Sequence, residues 1–184
     1  MNEERGRNIT RRSLVLLGGS SLLAMMLHPV SAAVHFQTER ALSLDVLPTG
    51  EKLKRVYWAE GHYIPQALRE IHYLLRDYRA GEVKTIDVKL LDLLHEIRAL
   101  IGSRSPFEVV SGYRSQQTNR WLQRTNPSVA RHSYHTQGMA VDFRLPDCDL
   151  VKLKAVALKL GRGGVGYYPH TAFLHVDVGP RRQW

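Results

Sequence analysis

The chain has 184 residues and carries 26 Lys and Arg against 17 Asp and Glu, a formal charge of +9. Its length fits one domain plus an export segment, and its 43% apolar content is ordinary for a globular protein. Cys148 is the only cysteine, which excludes an intramolecular disulfide, so the core of a body of about 150 residues must carry stability unaided.

Four of the basic and two of the acidic residues lie in 1–33, leaving +7 on the remainder. That charge suits an acidic partner such as an anionic polymer. No run of five like charges and no nucleic-acid motif with interleaved aromatics occurs, so no nucleic-acid role is expected.

Residues 1–33 read as a cleaved targeting segment. Thr10-Arg11-Arg12-Ser13-Leu14-Val15 sets adjacent arginines before an apolar run, Leu14 to Leu27, softened by Gly18 and Gly19. Val30-Ser31-Ala32 or Ser31-Ala32-Ala33 supplies small residues for cleavage. The run is too short for a membrane span, and Cys148 lies too far away for a lipoprotein anchor. The paired arginines resemble the twin-arginine signal, which implies the twin-arginine export machinery as a partner, the periplasm as destination and no stable membrane anchor after cleavage. An uncleaved amphipathic anchor is the competing reading.

The body, 34–184, opens with alternation over Arg40–Val46, the turn Leu47-Pro48-Thr49-Gly50 and a return over Lys52–Trp58, which predicts a β-hairpin covering the core. Pro65 starts a helix whose apolar spacing, through Leu68, Ile71, His72, Leu75 and Tyr78, continues to Gly81. A second helix follows the Asp87 cap, burying Leu90, Leu91, Leu94, Ile97, Leu100 and Ile101 before Gly102. His72 and His95, within these helices, read as packing or surface residues.

Phe107–Val110 is a short strand, and Gln116–Asn126 a short helix ending before Pro127. Arg114 sits at the bend between them. It is either a surface arginine clamping the loop or a cation placed for a carboxylate or a developing oxyanion.

In Met139–Leu145, period-two alternation sends Met139, Val141, Phe143 and Leu145 to the core and Asp142 to the opposite face. His135 lies seven residues before Asp142, so its loop must fold back on the strand. A helix over Asp149–Leu160 ends at Gly161, and strands follow at Val165–Tyr168 and Ala172–Val178. In the last strand, His175 and Asp177 face away from Leu174, Val176 and Val178. If it neighbours 140–145, His175 meets Asp142. Two imidazoles and a carboxylate suit a catalytic zinc with one position left for water. Ordinary polar residues beside a sheet is the other reading, although burying them unpaired is costly. The elements together predict an α+β fold: a small antiparallel sheet carrying the site, several helices and an N-terminal hairpin.

Ser133-x-His135-x-x-Gly138-x-Ala140-x-Asp142 followed by His175-x-Asp177 resembles the zinc D-Ala-D-Ala metallopeptidase superfamily, whose fold is shared with Hedgehog signalling domains. Arg76-Asp77-Tyr78-Arg79, Ser111-Gly112-Tyr113-Arg114-Ser115, Gly163-Gly164-Val165-Gly166-Tyr167-Tyr168-Pro169 and Gly179-Pro180-Arg181-x-x-Trp184 resemble, within it, a family of twin-arginine-exported murein endopeptidases. The resemblance implies one zinc ion per chain on His135, Asp142 and His175. It also implies cleavage of peptidoglycan stem-peptide cross-links, mDAP–mDAP (3-3) and more weakly D-Ala–mDAP (4-3). Arg114 matches an arginine that contacts the scissile carbonyl or its oxyanion, and Ser133 a serine that binds substrate. Related dipeptidases carry an acidic general base where this chain has Ala172. That leaves Asp177, as base or as orienting partner of His175, and His170 as candidates for proton transfer. A D,D-carboxypeptidase and a non-catalytic zinc-containing wall-binding module are the alternative functions.

Overall fold

The computed structural model describes residues 39–126 and 129–184; the targeting segment read at 1–33 lies outside them. Among the described residues eight strands form one sheet, in the order β3-β2-β1-β4-β5-β7-β6-β8. They are β1 (Glu39–Val46), β2 (Lys52–Ala59), β3 (His62–Tyr63), β4 (Phe107–Ser111), β5 (Ala140–Arg144), β6 (Gly164–Tyr168), β7 (Phe173–Asp177) and β8 (Arg182–Gln183). Helices α1 (Pro65–Leu74), α2 (Val88–Ile101), α3 (Gln116–Thr125) and α4 (Leu150–Leu160) complete the fold, with a 3-10 turn at Tyr134–Gln137.

The α+β class holds, but the sheet is neither small nor purely antiparallel. β1 runs parallel to β4, with Leu44 opposite Phe107 and Val46 opposite Val109. β6 and β8 are also parallel. The hairpin is thus an integral part of the site-bearing sheet. A parallel pairing needs a long crossover, and the segment holding α1 and α2 between β2 and β4 provides it. Strand alternation encodes which face is buried but not which strand lies alongside, which is why the pairing is invisible in local sequence.

One face of the sheet builds the core. Leu42, Leu44, Phe107, Val109, Val141, Phe143, Leu174 and Val176 pack there against Ile71, Leu91, Leu94, Ile97 and Leu153. Helix α2 starts at Asp87, whose side chain accepts from the Lys89 N–H, and stops at Gly102 in the left-handed conformation; α4 repeats the device with Asp149 and Gly161. Leu100, expected inside, is 56% exposed, and Leu93 is buried instead. Tyr57 acts as a strut: its hydroxyl donates to Asp92 on α2, as does that of Tyr63. Among the described residues no helix is long and apolar enough to cross a membrane.

Helix α1 ends at Leu74, well short of Gly81. The cause is Asp77, 1% exposed, whose carboxylate accepts from the N–H groups of Ser115 (2.9 Å) and Arg79 (3.1 Å). Burial alone would raise its pKa; donors from Thr118, Ser115 and Arg79 reverse that and leave it lowered. The turn after α1 is thereby fixed to the loop that carries Arg114. Gly112 in that loop passes so close to α1 that a Cβ would stand 2.6 Å from the Leu75 carbonyl oxygen. Asp77→Ala is expected to lower unfolding stability by about 2–4 kcal/mol, since it strands buried N–H groups. Denaturant unfolding checks this, with Asp77→Asn losing less because it keeps an acceptor.

Candidate metal centre

Asp142 on β5 lies directly opposite His175 on β7. Both leave the face opposite the core, because their neighbours Val141, Phe143, Leu174 and Val176 are the ones buried within it. The 3-10 turn brings in His135. Ser133 caps that turn through its Oγ, and Gly138 ends it at φ +72°. A Cβ on Gly138 would also collide with the Thr85 carbonyl, so this position excludes any other residue. The Arg114 N–H donates to the His135 carbonyl at 3.2 Å, joining the turn to the β4–α3 loop.

The three side chains converge. His135 Nε2 is 3.1 Å from Asp142 Oδ1 and 3.1 Å from His175 Nδ1, and His175 Nδ1 is 2.8 Å from the same Oδ1. His135, Asp142 and His175 are 1%, 6% and 7% exposed, and they are the one such metal-capable group among the described residues.

The outer nitrogens decide how the rings present themselves. His135 Nδ1–H donates to the Gly112 carbonyl at 2.7 Å, which leaves Nε2 as an unprotonated donor atom. His175 does the reverse: Nε2–H donates to Asp177 Oδ2 at 3.1 Å, freeing Nδ1. Two lone pairs and a carboxylate oxygen therefore face one point at 2.8–3.1 Å spacings. That is slightly below the roughly 3.3 Å edge of a zinc tetrahedron with bonds of about 2.0–2.1 Å. The residues fit a divalent ion of zinc's preference.

Asp177 is 0% exposed and fully engaged. Besides His175 it accepts from the N–H groups of Gly164 and Gly179 and from both terminal nitrogens of Arg182. Burial would raise its carboxyl, but these donors hold it at about 2. Its contact is with His175 Nε2, on the ring edge away from the converging atoms. His170 is exposed in the turn between β6 and β7 and is not among the residues lining the cleft. Ala172 in the same turn is exposed with φ +52°.

Arg114 donates from Nη2 to Asp142 Oδ2 at 2.8 Å and from Nε to Ser111 Oγ at 3.0 Å. It both clamps the loop and grips the second oxygen of the carboxylate ligand. The triad forms the floor of a cleft of about 460 Å3, walled by Ser133, Tyr134, Tyr168, Phe173, Arg182 and Trp184. Trp184 stands 5.2 Å from the His175 ring.

The whole body, residues 34–184, matches the family model described as peptidoglycan L,D-endopeptidase MepK. The chain belongs to the MepK family. It is 41% identical over 175 residues to the peptidoglycan L,D-endopeptidase MepK of Escherichia coli strain K12, covering 95% of this chain and 96% of that one. A probable peptidoglycan L,D-endopeptidase MepK of Haemophilus influenzae is 38% identical over 176 residues, with 95% coverage of each.

Three contributors to this MepK-family site had no role assigned from sequence: the Gly112 carbonyl, Asp77 and Arg182. Gly112 acts through its backbone, Asp77 through a partner 38 residues away, and Arg182 from a two-residue strand too short to show a pattern.

Burial pushes metal-free His135 down to about 4, despite the pull of Asp142. Burial lowers His72 as well. Between pH 6.5 and about 4 the unfolded chain thus binds protons that the folded chain refuses, so stability falls as pH falls through that window. His175 is raised, and is protonated in both states below pH 6.5, so it does not offset this. Denaturant midpoints of the metal-free protein at pH 6 and pH 4.5 are expected to show the loss.

Proposed function

We propose that this protein is a zinc-dependent peptidoglycan endopeptidase that hydrolyses stem-peptide cross-links, mDAP–mDAP (3-3) and more weakly D-Ala–mDAP (4-3), during growth or remodelling of the wall. The observation that carries the reading is the His135–Asp142–His175 cluster, with both imidazole protons locked on the far nitrogens, at the floor of an open cleft in a MepK-family chain. His135 Nε2, Asp142 Oδ1 and His175 Nδ1 would hold one zinc ion per chain, which would supply an acidified water and Lewis-acid polarisation of the scissile carbonyl.

The chain's own groups do the rest. Asp177 holds the proton on His175 Nε2 and so keeps Nδ1 available, with Arg182 securing the carboxylate. Arg114 fixes Asp142 through Oδ2, and its Nη1, without a partner among the described residues, offers a donor for charge developing on the carbonyl oxygen. Ser133, at the cleft wall, is placed for the substrate peptide while its Oγ caps the turn. Family membership, the Arg11-Arg12 pair and the apolar run after it support export to the periplasm by the twin-arginine pathway.

Asp177→Asn is expected to weaken zinc affinity about 10- to 100-fold and to leave the pH profile of the zinc-saturated enzyme unchanged. A profile that loses its acidic limb would make Asp177 the proton acceptor instead.

The function is tested by incubating the zinc form with purified 3-3 and 4-3 cross-linked dimers. Loss of dimers, fastest for 3-3, is the expected result. Release of free D-Ala instead would make it a carboxypeptidase, and binding without products would make it a wall-binding module.

A further inference from the structure

Among the described residues three arginines line the cleft, and two of them are engaged by carboxylates of the protein itself. Arg114 is held by Asp142, and Arg182 by Asp177. Arg79 is different: no carboxylate pairs with it among the described residues. Among the described residues the only acid lining the cleft is Asp142, which is already shared between the metal cluster and Arg114.

Arg79 is nonetheless built into place. Its guanidinium lies 4.4 Å from the centre of the Tyr78 ring and 5.9 Å from that of Trp121. Its backbone N–H donates to Asp77 Oδ1, while Asp77 Oδ2 takes the N–H of Ser115, the residue after Arg114. One buried carboxylate thereby sets the loops of the free arginine and of the catalytic arginine relative to each other. Stacking occupies the face of a guanidinium and leaves its edge N–H groups as a fork matched to a carboxylate. Trp121 and Tyr78 remain 50% and 37% exposed, so this platform is open to solvent.

We propose that Arg79 is the substrate-carboxylate anchor of the cleft, binding a free carboxylate of the cross-linked stem peptide and so setting specificity for acidic over amidated peptides. This rests on the peptidoglycan reading above. Stem peptides offer the α-carboxylate of D-glutamate and the unlinked carboxylate of diaminopimelate. Either can be made a carboxamide without altering the scissile bond.

Zinc-loaded wild type and Arg79→Gln are compared on 3-3 dimers in three forms: free acid, amidated at D-glutamate, or amidated at diaminopimelate. For the free acid, Arg79→Gln is expected to raise KM about three- to tenfold, with the loss falling on KM rather than kcat. Amidation at one of the two positions raises the wild-type KM by a similar factor and leaves that of Arg79→Gln unchanged. Arg79→Lys, which keeps the charge but not the fork, falls between. Calorimetric titration with the uncleavable disaccharide-tripeptide product, in free and amidated forms, is expected to show the same pattern without turnover. Equal KM values and affinities for wild type and Arg79→Gln, or a preference for the free acid that survives in Arg79→Gln, overturn the proposal. If no dimer is cleaved at all, the endopeptidase reading fails, and the tripeptide titration alone decides for or against Arg79.

Discussion

His135→Ala is expected to abolish zinc retention and cross-link cleavage together in a protein that still folds. His135 supplies one of three protein ligand atoms, and with two left no closed side of a tetrahedral site remains. The structural cost is moderate: a small cavity and an orphaned Gly112 carbonyl, together about 2–4 kcal/mol. A core that buries Phe107, Phe143, Leu90, Leu91 and Leu94 can absorb that. Elemental analysis of the purified variant should find little zinc, and the dimer assay no products. Cleavage at the wild-type rate by a folded, zinc-poor His135→Ala would show that the chemistry lies elsewhere.

Arg114→Gln is expected to behave differently, keeping zinc and losing rate. The three ligand atoms stay in place, but Asp142 Oδ2 loses its charged partner and the cleft loses the donor nearest the ligand set. A fall in kcat of about 10²–10³ follows from the usual contribution of one oxyanion donor. Arg114→Lys should recover little of it, because a single ammonium cannot hold Ser111 and Asp142 and still present a further N–H. Zinc content and kcat measured on the same preparation separate this role from metal retention. A zinc-loaded Arg114→Gln within threefold of wild type would reduce the arginine to a loop clamp.

The site's ligands were legible because β-strand periodicity converts sequence spacing into direction. Alternation at 140–145 and 173–178 put Asp142 and His175 on the non-core faces of two strands, and antiparallel pairing then set them opposite one another. Helices α2 and α4 were legible from caps that act within a few residues, Asp87 with Gly102 and Asp149 with Gly161. What local sequence does not show depends on distant partners. α1 keeps its apolar spacing past Leu74, yet Asp77 accepts from Ser115 across 38 positions and turns the chain away. The parallel register of β1 on β4 is set by packing rather than by either strand's pattern. Asp177 could be assigned a strand face but not a role, because most of the donors that occupy its carboxylate, Gly164, Gly179 and Arg182, come from outside its strand.

The most direct measurement of the central claim is removal and return of the metal. Protein stripped with a chelator and dialysed is assayed on purified 3-3 dimer, then titrated with zinc. The account predicts no cleavage by the stripped protein and full activity restored at one equivalent of zinc per chain, with no restoration in His135→Ala. Undiminished cleavage by protein shown to be metal-free would contradict it.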